Sequence, residues 1–527
     1  MPKVTIDSRQ VEVPEGATVL EAARKLGIDI PTMCFMEGLA PSTSCMVCVV
    51  KWVGQDRLVP ACAAPAVDGM VIESESDEVR QARQAALEIL LSDHLGDCEA
   101  PCQSACPAHM NIPLMIRQIA RGRMPQAIAT VKADIALPAV LGRICPAPCE
   151  KACRRGARDA PVGICLLKRY AADADLVAGR PHSPACRPPS GRKVAIVGAG
   201  PTGLAAAYYL HQAGHACTVF DDHDQPGGML RYGVDEARLP RDVLDAEIAT
   251  IAGLGAEMRM AARVGPDELD HLRREYDAVV VAVGRLDQQE DLARALDAAG
   301  AGVEADRRTF QTAHEGVFAA GDAAARQRLA VRAAADGKGI AASVDQYLAG
   351  RPVTGLRRPF SVHVGRLLDG EIDRFMEGAD PAARTCPPVG EDRDSAAALP
   401  SLGDAQARIE AARCMHCDCR KPDACKLRIY AEAYHAHPGR YRTARRRFEQ
   451  QRDHPRVVYE PGKCIDCGLC IKIAERHREP LGLTFIGRGF DVRVAVPFGR
   501  SLAEGLSRAA ADCVAACPTG ALAFAED

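Results

Sequence analysis

The chain is 527 residues long, carries a formal net charge of −3 with 26% charged residues, and contains 23 cysteines. That length implies several domains, each able to bury its own core. The balanced charge leaves no electrostatic footprint for nucleic acid, and the longest apolar stretch, Val194 to Leu210, is broken by glycines and a proline, so no membrane span is expected.

The first residues, Met1-Pro2-Lys3-Val4-Thr5-Ile6-Asp7, lack an apolar signal region, which predicts a cytoplasmic protein. In that reducing compartment thiols prefer metals to disulfides. Nineteen of the cysteines fall into groups whose spacings suit iron–sulfur clusters, leaving Cys186, Cys217, Cys386 and Cys513 over.

Residues 1–76 read as a small sheet-and-helix domain. Val4–Ile6 and Val11–Val13 alternate around a polar turn as a hairpin does, and Thr18–Leu26 has helical apolar spacing. Next come Cys34, Cys45, Cys48 and Cys62, on stretches with the irregularity that a two-iron cluster needs. A zinc knuckle is the alternative, although structural zinc usually takes two tight cysteine pairs. The ten-residue gap after Cys34 is longer than that of plant-type ferredoxins. It resembles the N-terminal domain of the large iron–sulfur subunit of complex I and related hydrogenases and formate dehydrogenases, which implies a β-grasp ferredoxin fold.

Residues 77–178 turn helical, with Val79–Leu91 and Ile112–Ala120 as candidate helices. Two triplets border this segment, Cys98, Cys102 and Cys106, then Cys145, Cys149 and Cys153. The words "CPAHMNIP" and "GRICPAPCEKAC" resemble the N-terminal domain of the glutamate synthase small subunit, similar to one in dihydropyrimidine dehydrogenase. The resemblance implies two four-iron clusters with interleaved ligands, one of which can be a non-cysteine residue. His94 stands four residues before Cys98, where the family's first cysteine would fall. Lys168 stands where the family can place a glutamine, and Cys165 precedes it on the same helical face. The implied sets are His94, Cys98, Cys102 and Cys153 for one cluster, and Cys106, Cys145, Cys149 and Cys165 for the other.

A proline-rich linker, residues 179–192, leads to the strand Lys193–Val197, the turn Gly198-Ala199-Gly200-Pro201-Thr202-Gly203 and a helix, Leu204–Ala213. Such glycines let backbone amides approach a pyrophosphate at a helix N-terminus, and Asp221, ending the next strand, can accept from a ribose hydroxyl. "GHACTVFDDHDQPGGMLRYGV", "YDAVVVAVG" and "GVFAAGDAA" resemble the flavin domain of the glutamate synthase small subunit family. That resemblance implies FAD held by Gly198, Gly200, Pro201, Thr202, Gly203, Asp221, Gly227, Gly228, Gly284, Gly321 and Asp322, with Gly337, Gly339 and Ala341 starting the helix beneath it. Members that use NADPH carry a second Rossmann domain between the two flavin motifs. Here only the 31 residues 285–315 separate Gly284 from Gly316, without a second GxGxxG, so residues 193–350 form an FAD domain lacking its nucleotide-reducing insertion.

Residues 351–455 read as a proline-punctuated connector with a helix, Leu402–Ala412, before Cys414, Cys417, Cys419 and Cys425. Those four thiolates suit a four-iron cluster or zinc. The basic run Arg440–Arg447 reads as a solvated helix face, with a docking surface as the second reading. Residues 456–527, "KCIDCGLCIKIA" to "DCVAACPTGALAF", resemble a bacterial ferredoxin. Ala474 replaces a cysteine of the first run and the second run keeps only Cys513 and Cys517, so one four-iron cluster is implied, on Cys464, Cys467, Cys470 and Cys517.

The expected fold is multidomain α/β and α+β: a β-grasp 2Fe-2S domain, a helical double 4Fe-4S domain, a Rossmann-like FAD domain and a C-terminal ferredoxin-like domain. The expected cofactors are FAD, one 2Fe-2S cluster and three 4Fe-4S clusters, or four if Cys414–Cys425 holds iron. No catalytic word can be read. The expected role is an electron-transfer subunit of a multisubunit oxidoreductase. By resemblance, its partners would be an NADH dehydrogenase-type flavin subunit and a molybdenum, tungsten or hydrogenase-type catalytic subunit. A self-sufficient NAD(P)H:acceptor oxidoreductase and a structural or maturation scaffold are the alternatives.

Overall fold

The computed structural model describes residues 1–286, 290–298, 302–324, 329–386, 401–441 and 444–525. The chain divides into two compact units: one of Met1–Glu99, Pro359–Gly378 and His416–Asp527, the other of Ala100–Arg358 and Ala379–Met415.

The first unit begins with a five-stranded sheet, β1 (Lys3–Ile6), β2 (Arg9–Glu12), β3 (Val49–Trp52), β4 (Arg57–Pro60) and β5 (Val71–Glu73), in the order β2-β1-β5-β3-β4. β1 pairs antiparallel with β2 and parallel with β5, so the N-terminal hairpin is present. The helix Val19–Lys25 is fixed by a capping box in which Thr18 and Glu21 satisfy each other's backbone N–H groups. Its Val19, Leu20, Ala22 and Ala23 are buried against the sheet, and the long loop from 27 to 48 carries Cys34, Cys45 and Cys48. The helix Asp77–Ser92 follows, one turn's worth wider than the apolar pattern alone suggested.

The second unit opens with short helices, among them Pro101–Ala105, Ile112–Ala120, Met124–Asp134, Pro138–Ile144 and Pro148–Lys151, each with proline in its first turn, where a missing N–H costs nothing. The longer helix Ile164–Val177 packs on Pro138–Ile144. Their approach depends on Gly142, where a Cβ would lie 2.6 Å from the Cβ of Arg169. Helix Arg241–Ala252 carries the buried Glu247, whose carboxylate accepts from the N–H groups of Ala139 and Val140 at 2.7 and 2.8 Å. It thereby caps the helix that delivers Cys145.

A parallel five-stranded sheet follows in this unit: β6 (Lys193–Val197), β7 (Ala216–Phe220), β8 (Glu257–Arg259), β9 (Ala278–Val281) and β10 (Val317–Ala319), ordered β10-β9-β6-β7-β8. That is the doubly wound order with its switch point beside β6. Helix Pro201–Gln212 follows β6, and helix Ala330–Leu348 packs closely on it. Gly337 permits the contact, since a Cβ there would meet the Thr202 carbonyl oxygen at 2.4 Å. This helix starts at Ala330 rather than near Gly337, a correction to the sequence expectation: Gly337, Gly339 and Ala341 are mid-helix contact positions. Between β9 and β10 the described residues include one short helix, Glu290–Ala295, and β10 pairs directly with β9. Helix Asp404–Ala412 ends this unit's second segment.

The first unit resumes with two small antiparallel pairs, β11 (Val457–Tyr459) with β14 (Leu522–Phe524), and β12 (Thr484–Ile486) with β13 (Arg493–Ala495). Helices Leu469–Arg476 and Ala510–Ala516 pack together beneath them. The described residues of the basic run form no helix; Arg445 is drawn inward, pairing with Glu371 at 2.6 Å, and Arg446 pairs with Asp93 at 2.7 Å. Burying the Glu371 carboxylate gave Arg445 a partner that helical spacing could not anticipate. Among the connector's prolines, Pro387, Pro388 and Pro400 lie outside the described residues. Among the described residues no helix is long and apolar enough to cross a membrane.

Replacing Glu247 with Ala strands two buried N–H groups and should cost about 2 kcal/mol or more, read as a lower thermal transition for the helical segment and as earlier proteolysis within residues 124–177. A variant as resistant as the parent would remove Glu247 from this role.

Candidate iron–sulfur and flavin sites

Cys34, Cys45, Cys48 and Cys62 are all buried and come together in two hydrogen-bonded pairs, Cys34 with Cys45 and Cys48 with Cys62. The thiol of Cys45 donating to Cys34 lowers Cys34 to about 5, while Cys45 is raised; Cys62 lowers Cys48 to about 7 in the same way. Two cysteines per iron is the arrangement a two-iron cluster requires.

In the second unit Cys106, Cys145, Cys149 and Cys165 line one small cavity with Ile164 and Lys168. The helix contact at Gly142 brings Cys165 against Cys145, which that hydrogen bond lowers to about 7. Cys165 is oriented from behind, its N–H donating to Glu150 at 2.9 Å, and Glu150 is held by Arg384 at 3.0 Å. Burial works against the Lys168 ammonium, but the thiols of Cys165, Cys145, Cys149 and Cys106 outweigh it and raise its pKa. A buried ammonium here balances thiolate charge instead of acting as a ligand.

Cys102, Cys153 and Cys414 border the hydrophobic core of the same unit. Arg155, just after Cys153, donates to the carbonyls of Asp380 and Arg413 at 2.8 and 2.9 Å, tying the Cys153 loop to the residue before Cys414. Arg413 in turn pairs with the fully buried Glu410 at 2.7 Å.

In the first unit Cys464, Cys467, Cys470 and Cys517 line another small cavity with Tyr459 and Thr519. Gly468 takes a φ of 72° at the N-terminus of helix Leu469–Arg476, and Asp466 has a φ of 50°, so the loop curls and the Asp466 N–H reaches Cys464 Sγ at 3.4 Å. Cys513 lies outside this lining, its thiol directed to the Cys470 carbonyl at 3.5 Å. Cys98, Cys419 and Cys425 form a further buried group, with the Cys419 N–H on the Cys98 carbonyl at 3.4 Å. Cys414 borders the core of the second unit, and Cys419 and Cys425 lie in the first. His94 Nδ1 is shut from solvent without a hydrogen-bond partner, and burial lowers its pKa to about 4, so the imidazole is neutral.

Among the described residues no three cysteine sulfurs come within 4.8 Å of one another. Tetrahedral zinc, with Zn–S near 2.3 Å, needs sulfurs about 3.8 Å apart, whereas clusters of several irons take wider sets.

The glycine turn after β6 distributes its three roles by contact. Gly198 has a φ of 111°, and a Cβ there would meet the Ala282 carbonyl oxygen at 2.3 Å; at Gly203 it would meet the Gly198 oxygen at 1.9 Å. At Gly200 a Cβ meets nothing within 4 Å, which leaves space over the N-terminus of helix Pro201–Gln212 for a phosphate to reach the free N–H groups. Asp221 accepts from the Ala199 N–H at 2.6 Å and from His223, so its first task is bracing this turn. Gly227 and Gly228, both of positive φ, bring the next loop across, a Cβ on Gly228 lying 2.8 Å from Gly200 Cα. Gly321 has a φ of 66° and leans on the Thr202 hydroxyl, placing Asp322 in the adjoining turn; Gly284, φ 77°, follows β9. The half-buried Asp336, raised to about 6 by desolvation and accepting from the Gly321 N–H, is one residue here that sequence reading passed over, for want of a motif around it.

Residues 2–77 match the family model for a 2Fe-2S iron–sulfur cluster binding domain, and residues 75–179 that for the 4Fe-4S domain II of dihydropyrimidine dehydrogenase. Residues 164–337 match the pyridine nucleotide-disulphide oxidoreductase model. These matches make the chain a multidomain α/β iron–sulfur flavoprotein of oxidoreductase type. It is 43% identical over 207 residues to the NADP(+)-dependent formate dehydrogenase subunit beta of Moorella thermoacetica, covering 35% of this chain and 29% of that one. It is 40% identical over 192 residues to the glutamate synthase [NADPH] small chain of Mycobacterium tuberculosis strain CDC 1551 / Oshkosh, covering 36% and 39%. An NAD+-reducing [NiFe]-hydrogenase structure aligns at 32% identity over 18% of this chain and 39% of its own, with a TM-score of 0.17. The chain thus spans well under half the length of these relatives.

Gly200→Ala should leave folding intact but cut flavin retention at least tenfold, whereas Gly203→Ala should disrupt the turn itself; flavin absorbance per purified chain together with the thermal transition separates the two. Cys165→Ser should lower iron by about four atoms per chain, and an unchanged iron content would exclude Cys165 as a ligand.

Proposed function

We propose that this chain is an electron-transfer subunit of a multisubunit oxidoreductase, loaded by a partner. The observation that carries this reading lies in the first unit, where Cys34, Cys45, Cys425 and Cys467 share one hydrophobic core and Cys467 feels the charge of Cys34. Centres built on neighbouring thiol sets hand single electrons along without solvent between them. When bound, FAD would exchange electrons in pairs and the clusters one at a time. Gly198, Gly200 and Gly203 would seat its pyrophosphate, and Asp221 would keep the turn in shape while offering its remaining lone pairs to a ribose hydroxyl.

The direct β9–β10 pairing and the short 285–315 link support the loss of a hydride-donor domain. Within 164–337 the cysteines are Cys165, Cys186 and Cys217, too far apart in sequence for a vicinal dithiol, so disulfide exchange is no part of this reading. That a relative is named as the beta subunit of a formate dehydrogenase supports partners that are other oxidoreductase subunits; in this reading they are an NADH dehydrogenase-type flavin subunit and a molybdenum, tungsten or hydrogenase-type catalytic subunit, in the cytoplasm.

An anaerobic titration of the purified chain with NADH, NADPH and dithionite tests this. Dithionite should bleach flavin and clusters while neither nucleotide does so at a catalytically useful rate. Rapid bleaching by either nucleotide would instead make the chain a self-sufficient reductase.

A further inference from the structure

We propose that Cys98, Cys419 and Cys425, with His94 as fourth ligand, hold a four-iron cluster of their own in the first unit. Cys98 and Cys419 lie 321 residues apart in sequence, yet the Cys419 N–H rests on the Cys98 carbonyl, and Cys425 and Cys98 each feel the charge of Cys419. All three are buried, at 9%, 6% and 6% exposure.

Three backbone contacts hold these segments together. The Cys98 N–H donates to the Val362 carbonyl at 3.1 Å, and the Lys426 N–H, just after Cys425, donates to Pro518 at 2.8 Å. The Leu95 N–H donates to the Gly462 carbonyl at 2.6 Å. Two glycines make room. A Cβ on Gly520 would lie 2.3 Å from Cys419 Sγ, and one on Gly96 would lie 2.6 Å from Cε of Lys463.

Lys463 is the charge partner. Its ammonium is buried, bonded to Glu460 at 2.6 Å, and sensed by Cys98, Cys419 and His94 alike. Three thiolates that surrender their protons to iron gather negative charge, and a cation enclosed beside them offsets it in a dry interior. His94 Nδ1, enclosed and without a partner, is otherwise an unmet polar atom of the kind that folded proteins avoid. Ligation of the ring would resolve it. The sulfurs do not close to the tight spacing of a single zinc ion.

The place suits a relay. Cys425 shares its core with Cys34 and Cys45 of the two-iron set and with Cys467 of the C-terminal set. This inference deepens the electron-transfer reading, but its test does not depend on it, because iron content is independent of what reduces the chain.

The test uses the full chain, reconstituted anaerobically, with Cys98→Ser, Cys425→Ser and the double variant. Each single change should remove about four irons and four sulfides, and the double should remove no more, because both serve one cluster. Additive loss in the double variant, or one zinc per chain released in place of iron, would overturn the proposal. Flavin content and the two-iron signal serve as fold controls. On the unaltered chain labelled with 15N-histidine, the reduced protein should show a strong histidine-nitrogen hyperfine coupling, a readout no folding defect can affect. His94→Cys should keep the iron and abolish that coupling; its persistence would remove His94 from the ligand set.

Discussion

Thiols held in sets inside an apolar interior are the constraint on which the rest of this structure depends. A buried thiol has weak hydrogen-bonding capacity and, once ionised, an unpaired charge, so burying several together is costly unless metal or a counter-charge meets them. Burial pushes Cys425 up to about 12 and raises Cys98, Cys149 and Cys464 as well. The buried lysines Lys168 and Lys463 stand where such charge would gather, each in a different unit and each against a different cysteine set. The same physical solution arises twice on unrelated local backbones.

Convergence of distant loops has a geometric price that glycines meet. Gly142 lets two helices close until Cys145 and Cys165 touch, and Gly520 leaves the space that Cys419 Sγ occupies. Gly198 and Gly203 do the same for the dinucleotide turn, with backbone oxygen in place of sulfur as the close neighbour. At Gly198 and Gly203 a methyl group would displace main chain, which cannot yield as a flexible side chain can. Gly200 differs, since its missing side chain leaves open space instead of a contact.

Much of the candidate site was legible because its chemistry is local. Cys464, Cys467 and Cys470 lie in one turn, the glycine turn follows its strand at once, and Cys106, Cys145, Cys149 and Cys165 could be grouped through a resemblance that spans both loops. Residues whose roles rest on burial left no such trace. Glu247 caps a helix about a hundred residues before it, Asp336 reaches back to Gly321 within a helix that reads as merely alanine-rich, and Arg445 looks in sequence like any other surface arginine. The basic run misled because charge predicts solvent exposure only until a buried carboxylate such as Glu371 needs a partner.

The sequence by itself determined the kinds of centre this protein carries, since ligand type, short spacing and the strand–turn–helix word are written in neighbouring residues. It determined too that few residues link the two flavin motifs. Only the tertiary structure decided which cysteines meet: Cys34 pairs with Cys45, and Cys98 finds its neighbours at the far end of the chain. The physical reason is that a ligand set is closed by packing between segments remote in sequence, and burial of apolar surface, not the count of intervening residues, chooses which segments pack.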